Sequence, residues 1–284
     1  ISGISVGAMY ALIALGYTMV YGIVQLINFA HGEFLMVGAY MGALLLASFV
    51  GTPLIFALLI AMLAAGLIAV LTEFLAYRPL RSQPRIFVLT AAIAVSVLLQ
   101  NLGRVIFGAS SKPFPARFPE GNISFGEIWI DYAQLIIFTS CILMMIVLWL
   151  IVHKTKIGVA MRATSQDMEA ARLMGINTNL LISFTFFIGA TLAGAVGVLY
   201  GITYSIDPLM GIQPGLAAFV AAVLGGIGSI PGAMVGGLLI GIIENLVAGY
   251  VSSTYQGGIT FLILIIVLAV KPTGIFGKTN KVKV

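Results

Sequence analysis

The sequence predicts an all-α, polytopic membrane protein. Hydrophobic residues make up 61% of the 284 residues and charged residues only 8%, and the mean hydropathy is +1.14. Charged residues account for about a quarter of an ordinary soluble domain, and such a domain could not bury this much apolar surface. We therefore expect residues 1–284 to form a single transmembrane domain.

About eight or nine transmembrane helices are predicted, because the sequence contains nine apolar runs that approach the length needed to cross a bilayer. These runs cover residues 4–27, 34–50, 54–76, 86–108, 132–153, 180–204, 215–230, 232–250 and 256–271. Glycine-rich breaks at Asn28–Glu33 and Gly225–Gly232 indicate that some helices are interrupted. Glycines spaced by four, such as Gly3 and Gly7, are typical of closely packed membrane helices.

The basic residues predict the orientation of the chain. Most of the 14 lie in a first polar loop, in the segment 154–179 and in the C-terminal tail. They are Arg78, Arg81, Arg85, Lys154, Lys156, Arg162, Arg172, Lys271, Lys278, Lys281 and Lys283. Lys and Arg are retained on the cytoplasmic side, so we expect these three regions to be cytoplasmic and the loop 109–130 to be external.

Counting the crossings extends this orientation to other segments. Four crossings between Asn179 and Lys271 would leave Ser205–Pro214 outside. Three crossings before Arg78 would put Ile1 outside, whereas one broken helix over 17–50 would put it inside. Because the sequence starts at Ile1 rather than Met, we expect further residues to precede it, without a cleavable signal peptide.

Several functional classes lack support in the sequence. The single cysteine, Cys141, excludes an intramolecular disulfide, and two distant histidines do not predict a metal site. The net charge of +5 follows from the predicted topology and does not indicate nucleic-acid binding. The segment Gly277-Lys278-Thr279 is not a P-loop, because Pro272 occupies the position of the required glycine. We expect neither enzymatic activity nor a cofactor.

The segment Lys154–Asn179 is the longest polar interval in the chain. Thr164 and Asp167 have the spacing of a capping box, which predicts a short helix over Ser165–Met174. Gly175 is expected to end it, and apolar residues such as Met174 are expected to pack it against a neighbour. A solvated loop is the alternative, but so short a helix is unstable without a partner.

Three stretches resemble one family of transporters. The run MRATSQDMEAARLMGIN (161–177) resembles the EAA-type coupling loop of ABC importer permeases. The runs ALIALGYTMVYGIVQLINFAHGEF (11–34) and FVAAVLGGIGSIPGAMVGGLLIGIIE (219–244) resemble the LivH-type permeases of branched-chain amino acid importers. The resemblance extends over essentially the whole chain and implies the ABC importer permease fold.

The resemblance also implies function, location and partners. It implies a multi-pass subunit of the bacterial inner membrane that carries branched-chain or other hydrophobic amino acids through the lipid bilayer. The implied partners are a homologous second permease (LivM-like), two ABC ATPase subunits that supply ATP hydrolysis, and a periplasmic amino-acid-binding protein. The implied ATPase-coupling residues are Arg162, Ser165, Asp167, Glu169, Ala170, Ala171, Arg172 and Gly175.

Polar residues within the apolar runs are candidates for the transport pathway. They are Asn28, His31, Glu33, Gln100, Asn101, Glu244 and Asn245. Asn28–Glu33 has two interpretations: a broken helix that lines the pathway, or a helix end at the membrane surface with His31 and Glu33 paired. The other four residues either line the pathway or form hydrogen bonds between helices. Glu73 is expected to pair with Arg78 or Arg81.

A proton-coupled secondary transporter remains the alternative function. It would use His31, Glu33 or Glu244 to carry protons. It would work without ATPase subunits, and it gives no role to a capped helix in the segment 154–179.

Overall fold

The computed structural model describes residues 2–49, 51–115, 121–125 and 128–277, and these form eleven α-helices and one β-hairpin. The first helices are α1 (Ser2–Val24), α2 (His31–Ser48), α3 (Leu54–Thr72), α4 (Arg85–Phe107) and α5 (Tyr132–Lys154). They are followed by α6 (Lys156–Gln166), α7 (Met168–Leu173), α8 (Thr178–Thr203), α9 (Ile212–Gly225), α10 (Ile230–Tyr250) and α11 (Gln256–Val270). The hairpin strands are β1 (Asn122–Phe125) and β2 (Ile128–Asp131).

Seven helical segments in the described part of the chain are long and apolar enough to cross a membrane. They are α1, α3 with its extension to Leu80, α4, α5, α8, α10, and α11 with the turn that precedes it. The remaining predicted spans, 34–50 and 215–230, correspond to α2 and to the shorter apolar helix α9 of 14 residues. The predicted all-α, polytopic membrane fold is therefore confirmed.

The loops gather at two ends of the bundle. At one end, which we call the basic end, the segments 78–85, 154–179, 226–231 and 271–277 lie near the C-terminus of α1. At the other, which we call the hairpin end, the β-hairpin lies at the start of α5, whose Gln134 donates a hydrogen bond to Ser2. The three basic regions of the sequence therefore meet at one end, as far as they are described. Lys278, Lys281 and Lys283 lie outside the described residues.

Close contacts between glycines hold the centre of the bundle together. Helices α1 and α10 run antiparallel, and a Cβ placed at Gly7 would lie 2.9 Å from the backbone of Leu238. Helices α2 and α8 run parallel, and a Cβ at Gly38 would overlap the backbone of Gly194. Such contacts confirm the close packing predicted from the glycine spacing.

Two helices begin inside the bundle rather than at its ends. After α1 reaches the basic end, residues 25–30 turn back without helical structure, and α2 starts at His31 beside Gly16 and Gly189. With a rise of 1.5 Å per residue, Gly16 lies about 12 Å from the end of α1. The N-terminus of α9 meets the same place, because the backbone of Gly211 packs against Gly32.

From this shared point the two helices run to opposite ends. Helix α2 continues to the hairpin end, whereas α9 ends at Gly225, whose carbonyl accepts a hydrogen bond from Phe276 at the basic end. Residues 204–211 and α9 together cross the bundle from the hairpin end to the basic end. Residues 271–277 lie at the basic end, as four crossings between Asn179 and Lys271 require. Ser2 lies at the opposite end from the basic loops, as three crossings before Arg78 would place it.

Two features of the loops differ from the prediction. Ser205–Pro214 was predicted to be external as a whole, and this is wrong for Gly211–Pro214, which lie inside the bundle at the start of α9. The predicted loop 109–130 contains the unpredicted β-hairpin, with Asn122 opposite Asp131. Lys112 also forms an isolated bridge with Ile206. Within this loop, Arg117, Glu120 and Glu127 lie outside the described residues.

The contact between α2 and α8 gives a direct test of the packing. A Gly38→Leu variant should lose about 1–3 kcal/mol of stability, because overpacking forces the two backbones apart. Thermal unfolding of the purified protein in detergent measures this loss. Gly249→Leu is the matched control, because a Cβ at Gly249 meets no atom within 4 Å. Equal melting temperatures for the two variants would contradict the close α2–α8 contact.

Candidate functional site

A cavity of about 220 Å³ lies where the N-termini of α2 and α9 meet. Part of its wall is polar and comes from α1, α2 and α4. The rest is apolar or consists of glycine backbone. The lining residues are Tyr17, Phe29, Gly32, Glu33, Ile93, Ser96, Val97, Gln100, Gly211, Ile212, Gly215 and Leu216. Sites for drug-sized ligands occupy roughly 300–1,000 Å³, so this cavity suits a smaller solute.

Glu33 is the acidic residue of this cavity. Its side chain is 2% exposed, and its Oε1 accepts hydrogen bonds from Ser96 Oγ at 2.9 Å and from Gln100 Nε2 at 2.8 Å. Its Oε2 has no hydrogen-bond partner among the described residues. The predicted pairing of His31 with Glu33 is therefore wrong, and the predicted hydrogen bonding of Gln100 between helices is confirmed.

His31 packs into the centre of the bundle. Its ring lies 4.6 Å from the ring of Tyr17 and 5.9 Å from that of Phe34. A Cβ at Gly16 would lie 2.6 Å from His31 Cε1, so glycine at this position makes room for the imidazole. His31 is not one of the residues that line the cavity.

Asn28 holds the non-helical segment in place. Its Oδ1 accepts a hydrogen bond from the Ala30 amide at 3.1 Å and another from the Tyr77 hydroxyl at 2.7 Å. Its backbone carbonyl accepts from the His31 amide at 3.0 Å. Amides at the start of a helix have no partners within that helix, and Asn28 supplies partners here. The break lies inside the bundle, so the interpretation as a helix end at the surface is wrong. The interpretation as a broken helix that lines the pathway stays a prediction.

A second polar cluster connects this segment with the basic end. Glu73 begins a π-helical turn that extends to Tyr77. Its carboxylate is fully buried and pairs with Arg81, as predicted, and it also accepts a hydrogen bond from Ser183 of α8. Arg81 donates a further hydrogen bond to Asn179 at 2.9 Å. Burial lowers the pKa of Arg81 and the Glu73 carboxylate raises it, so the guanidinium stays charged.

The segment 154–179 forms two short helices instead of the single predicted one. Helix α6 includes Arg162 and Ser165, and α7 starts after Asp167, whose Oδ1 accepts from the amides of Glu169 and Ala170 at 2.9 Å. The prediction that Thr164 is the N-cap is wrong, because Thr164 lies buried inside α6. The capping-box prediction used Asp167 only as the residue that reaches back to Thr164, although an Asp side chain can itself be the N-cap of a helix.

Other details of this segment agree with the sequence. Gly175 adopts φ +84° and ends α7, as predicted. Arg172 donates to Thr178 of α8 at 2.9 Å. Arg162 donates to the carbonyl of Val152, which fixes α6 against α5. The side chain of Ala171 packs inward.

The tip of this pair of helices exposes apolar side chains. Leu173 is 90% exposed and Met174 is 83% exposed. The prediction that Met174 packs this segment against a neighbour stays a prediction, because its side chain is exposed on this chain. Sequence reasoning did not single out Leu173. A contiguous apolar patch rimmed by polar residues is typical of an interaction surface. In the sequence, the position of Leu173 and Met174 directly before the helix-ending Gly175 was the signal that could have identified this tip.

The remaining candidate pathway residues lie outside the cavity. Asn101 is exposed on α4 and donates to the carbonyl of Val97 in its own helix. Glu244 accepts from Tyr10 at 2.8 Å and from Thr260, so it joins α10 to α1 and α11. Asn245 is partly buried near Gly3. The prediction of hydrogen bonding between helices is therefore confirmed for Glu244. It is wrong for Asn101, which bonds within its own helix.

Comparison with known proteins identifies the family. The family model described as "Branched-chain amino acid transport system / permease component" matches residues 1–268. The chain belongs to this family. It is 43% identical to the high-affinity branched-chain amino acid transport system permease protein BraD of Pseudomonas aeruginosa, with 100% of this chain and 96% of that protein aligned.

Two further relatives agree. The permease protein LivH of Escherichia coli K12 is 41% identical, over 100% of this chain and 96% of that protein. The probable branched-chain amino acid transport permease LivH of Methanocaldococcus jannaschii is 31% identical, over 95% and 89% respectively. The chain is thus a multi-pass membrane permease of this family. Its relatives are transport permeases rather than enzymes, and they support this interpretation over proton-coupled secondary transport.

The Tyr77 hydroxyl provides a test of the anchoring of the non-helical segment. Tyr77→Phe should cost about 1 kcal/mol, because Asn28 would lose a buried hydrogen bond. Tyr40→Phe is the matched control and should be nearly neutral, because the Tyr40 hydroxyl is buried and has no partner among the described residues. Thermal unfolding of both variants compares them. A larger loss at Tyr40 than at Tyr77 would contradict the assigned hydrogen bonding.

Proposed function

We propose that this chain is the permease subunit of an ATP-driven ABC importer for branched-chain or other hydrophobic amino acids. The observation that carries the proposal is the polar pair of helices α6–α7, which presents an apolar tip on a chain whose family transports branched-chain amino acids. The permease lies in the bacterial inner membrane. The basic end faces the cytoplasm, because Lys and Arg are retained there, and the hairpin end faces the periplasm.

The partners follow from this orientation. Two ABC ATPase subunits bind on the cytoplasmic side and supply the energy of ATP hydrolysis. Leu173 and Met174 insert into one of them, with Glu169, Ala170 and Arg172 around the contact. A homologous second permease (LivM-like) completes the pathway, and a periplasmic amino-acid-binding protein delivers the cargo to the hairpin end.

A chain of hydrogen bonds connects the ATPase contact with the cavity. Arg172 of α7 bonds to Thr178, and the neighbouring Asn179 bonds to Arg81. Arg81 pairs with Glu73 in the π-helical turn. The same turn ends at Tyr77, which bonds to Asn28 next to the start of α2. Closure of the ATPase dimer moves α7, and these contacts carry the movement to the cavity by shifting the population of two conformations.

Purification tests the proposed function. The chain, expressed with its neighbouring genes, should co-purify with a second permease and two ATPases, and proteoliposomes of that complex should take up leucine only with ATP and binding protein. Uptake of leucine by this chain alone, driven by a proton gradient, would contradict the proposal.

Leu173 tests the docking contact. Leu173→Asp should lower leucine-stimulated ATP hydrolysis by at least about tenfold, because a desolvated charge at an apolar contact costs more than 1.4 kcal/mol. Co-purified ATPase and hydrolysis rate are the measurements.

Leu173→Met is the matched control and should keep wild-type activity, because methionine fills a similar apolar volume. Because Leu173 is 90% exposed, neither variant should alter the amount of protein in the membrane. Wild-type hydrolysis by Leu173→Asp would show that the ATPase binds elsewhere.

A further inference from the structure

We propose that Glu33 binds the α-ammonium group of the amino acid cargo, in the cavity between the N-termini of α2 and α9. This inference rests on the proposed function and adds a cargo-contacting residue to it. The cargo is a zwitterion with an apolar side chain. Crossing the hydrocarbon core without contacts to its two charges would be very costly.

The carboxylate of Glu33 is prepared for a cationic ligand. Ser96 and Gln100 fix one oxygen, while the other has no partner among the described residues. A buried carboxylate without a counter-charge costs free energy and generally marks a functional position in a membrane protein. No Lys or Arg is among the residues that line the cavity. The missing positive charge is one that the cargo can supply.

The carboxylate of the cargo has a site beside it. The N-termini of α2 and α9 converge at Gly32 and Gly211, where the positive ends of the two helix dipoles favour an anion. Neither glycine can be replaced without overlap, because a Cβ at Gly32 would lie 2.5 Å from the Gly211 carbonyl oxygen. Both glycines line the cavity, so the two helix starts form part of its wall.

The cavity lining also includes apolar side chains. They belong to Phe29, Ile93, Val97 and Leu216. A branched aliphatic side chain can pack there while the two charged groups of the amino acid meet Glu33 and the helix starts. Glu33, the two helix N-termini and the apolar side chains of the lining match the ammonium group, the carboxylate and the side chain of a hydrophobic amino acid.

Glu244 provides a contrast within the same chain. It is also buried, but its two oxygens accept from Tyr10 and Thr260, so its capacity is used within the protein. It does not line the cavity. Glu244→Gln is therefore a matched control for Glu33→Gln: each variant replaces a buried carboxylate by an amide of the same shape.

The test uses the complete complex, purified with its partners and reconstituted with leucine-loaded binding protein. Glu33→Gln should lower leucine transport by at least tenfold, whereas Glu244→Gln should stay within about twofold of wild type. In detergent, without binding protein, radiolabelled leucine should bind the wild-type complex at least tenfold more tightly than the Glu33→Gln complex. Unlabelled leucine should displace it, whereas 4-methylpentanoate, which lacks the ammonium group, should not.

Three outcomes would overturn the inference. Equal leucine binding by wild type and Glu33→Gln would show that Glu33 does not contact the cargo. Equal displacement by 4-methylpentanoate would show that the ammonium group is not recognised. A larger loss of transport in Glu244→Gln than in Glu33→Gln would place the cargo elsewhere. In each case ATP-driven uptake by the wild type would leave the proposed function standing, whereas its absence would overturn both.

Discussion

The structure depends on one constraint: backbone without helical structure inside a bilayer must find its hydrogen bonds within the protein. The break between α1 and α2 meets this constraint through the side-chain oxygen and carbonyl of Asn28, which accept from Ala30, His31 and Tyr77. The second break, before α9, packs its Gly211 against Gly32. The two breaks depend on each other, because the backbones of Gly32 and Gly211 pack so closely that a side chain at either would overlap the other.

The same constraint creates the candidate site. A helix that starts inside the bundle exposes its positive end there, and two such starts converge on one cavity beside Glu33. The segment that satisfies the first break is also bonded, through Tyr77 and the π-helical turn, to the arginine that contacts α8. In the proposed mechanism, these static contacts are the route by which movement at the basic end would reach the cavity.

The sequence predicted much of this fold because apolar length and glycine spacing are local signals. It also predicted the break at Asn28–Glu33 and the pairing of Glu73 with Arg78 or Arg81, of which Arg81 is the partner. It could not place Gly211–Pro214 inside the bundle, because only the contact with Gly32 puts them there. Nor could it divide the segment 154–179 into two helices, since Thr164 and Asp167 both have capping chemistry and the packing of α6 against α5 decides between them.

Accessibility of the cavity during the ATP cycle tests the link between transport and structure most directly. Cys141 is the only cysteine in this sequence, so Ser96→Cys in a Cys141→Ala background gives this chain a single reporter cysteine, in the cavity wall; the complex with Cys141→Ala alone is the blank. In the reconstituted complex, its modification by a charged thiol reagent should change at least tenfold between ATP-free and vanadate-trapped states, and leucine should slow it. An equal rate of modification in all states would contradict a transport pathway through this cavity.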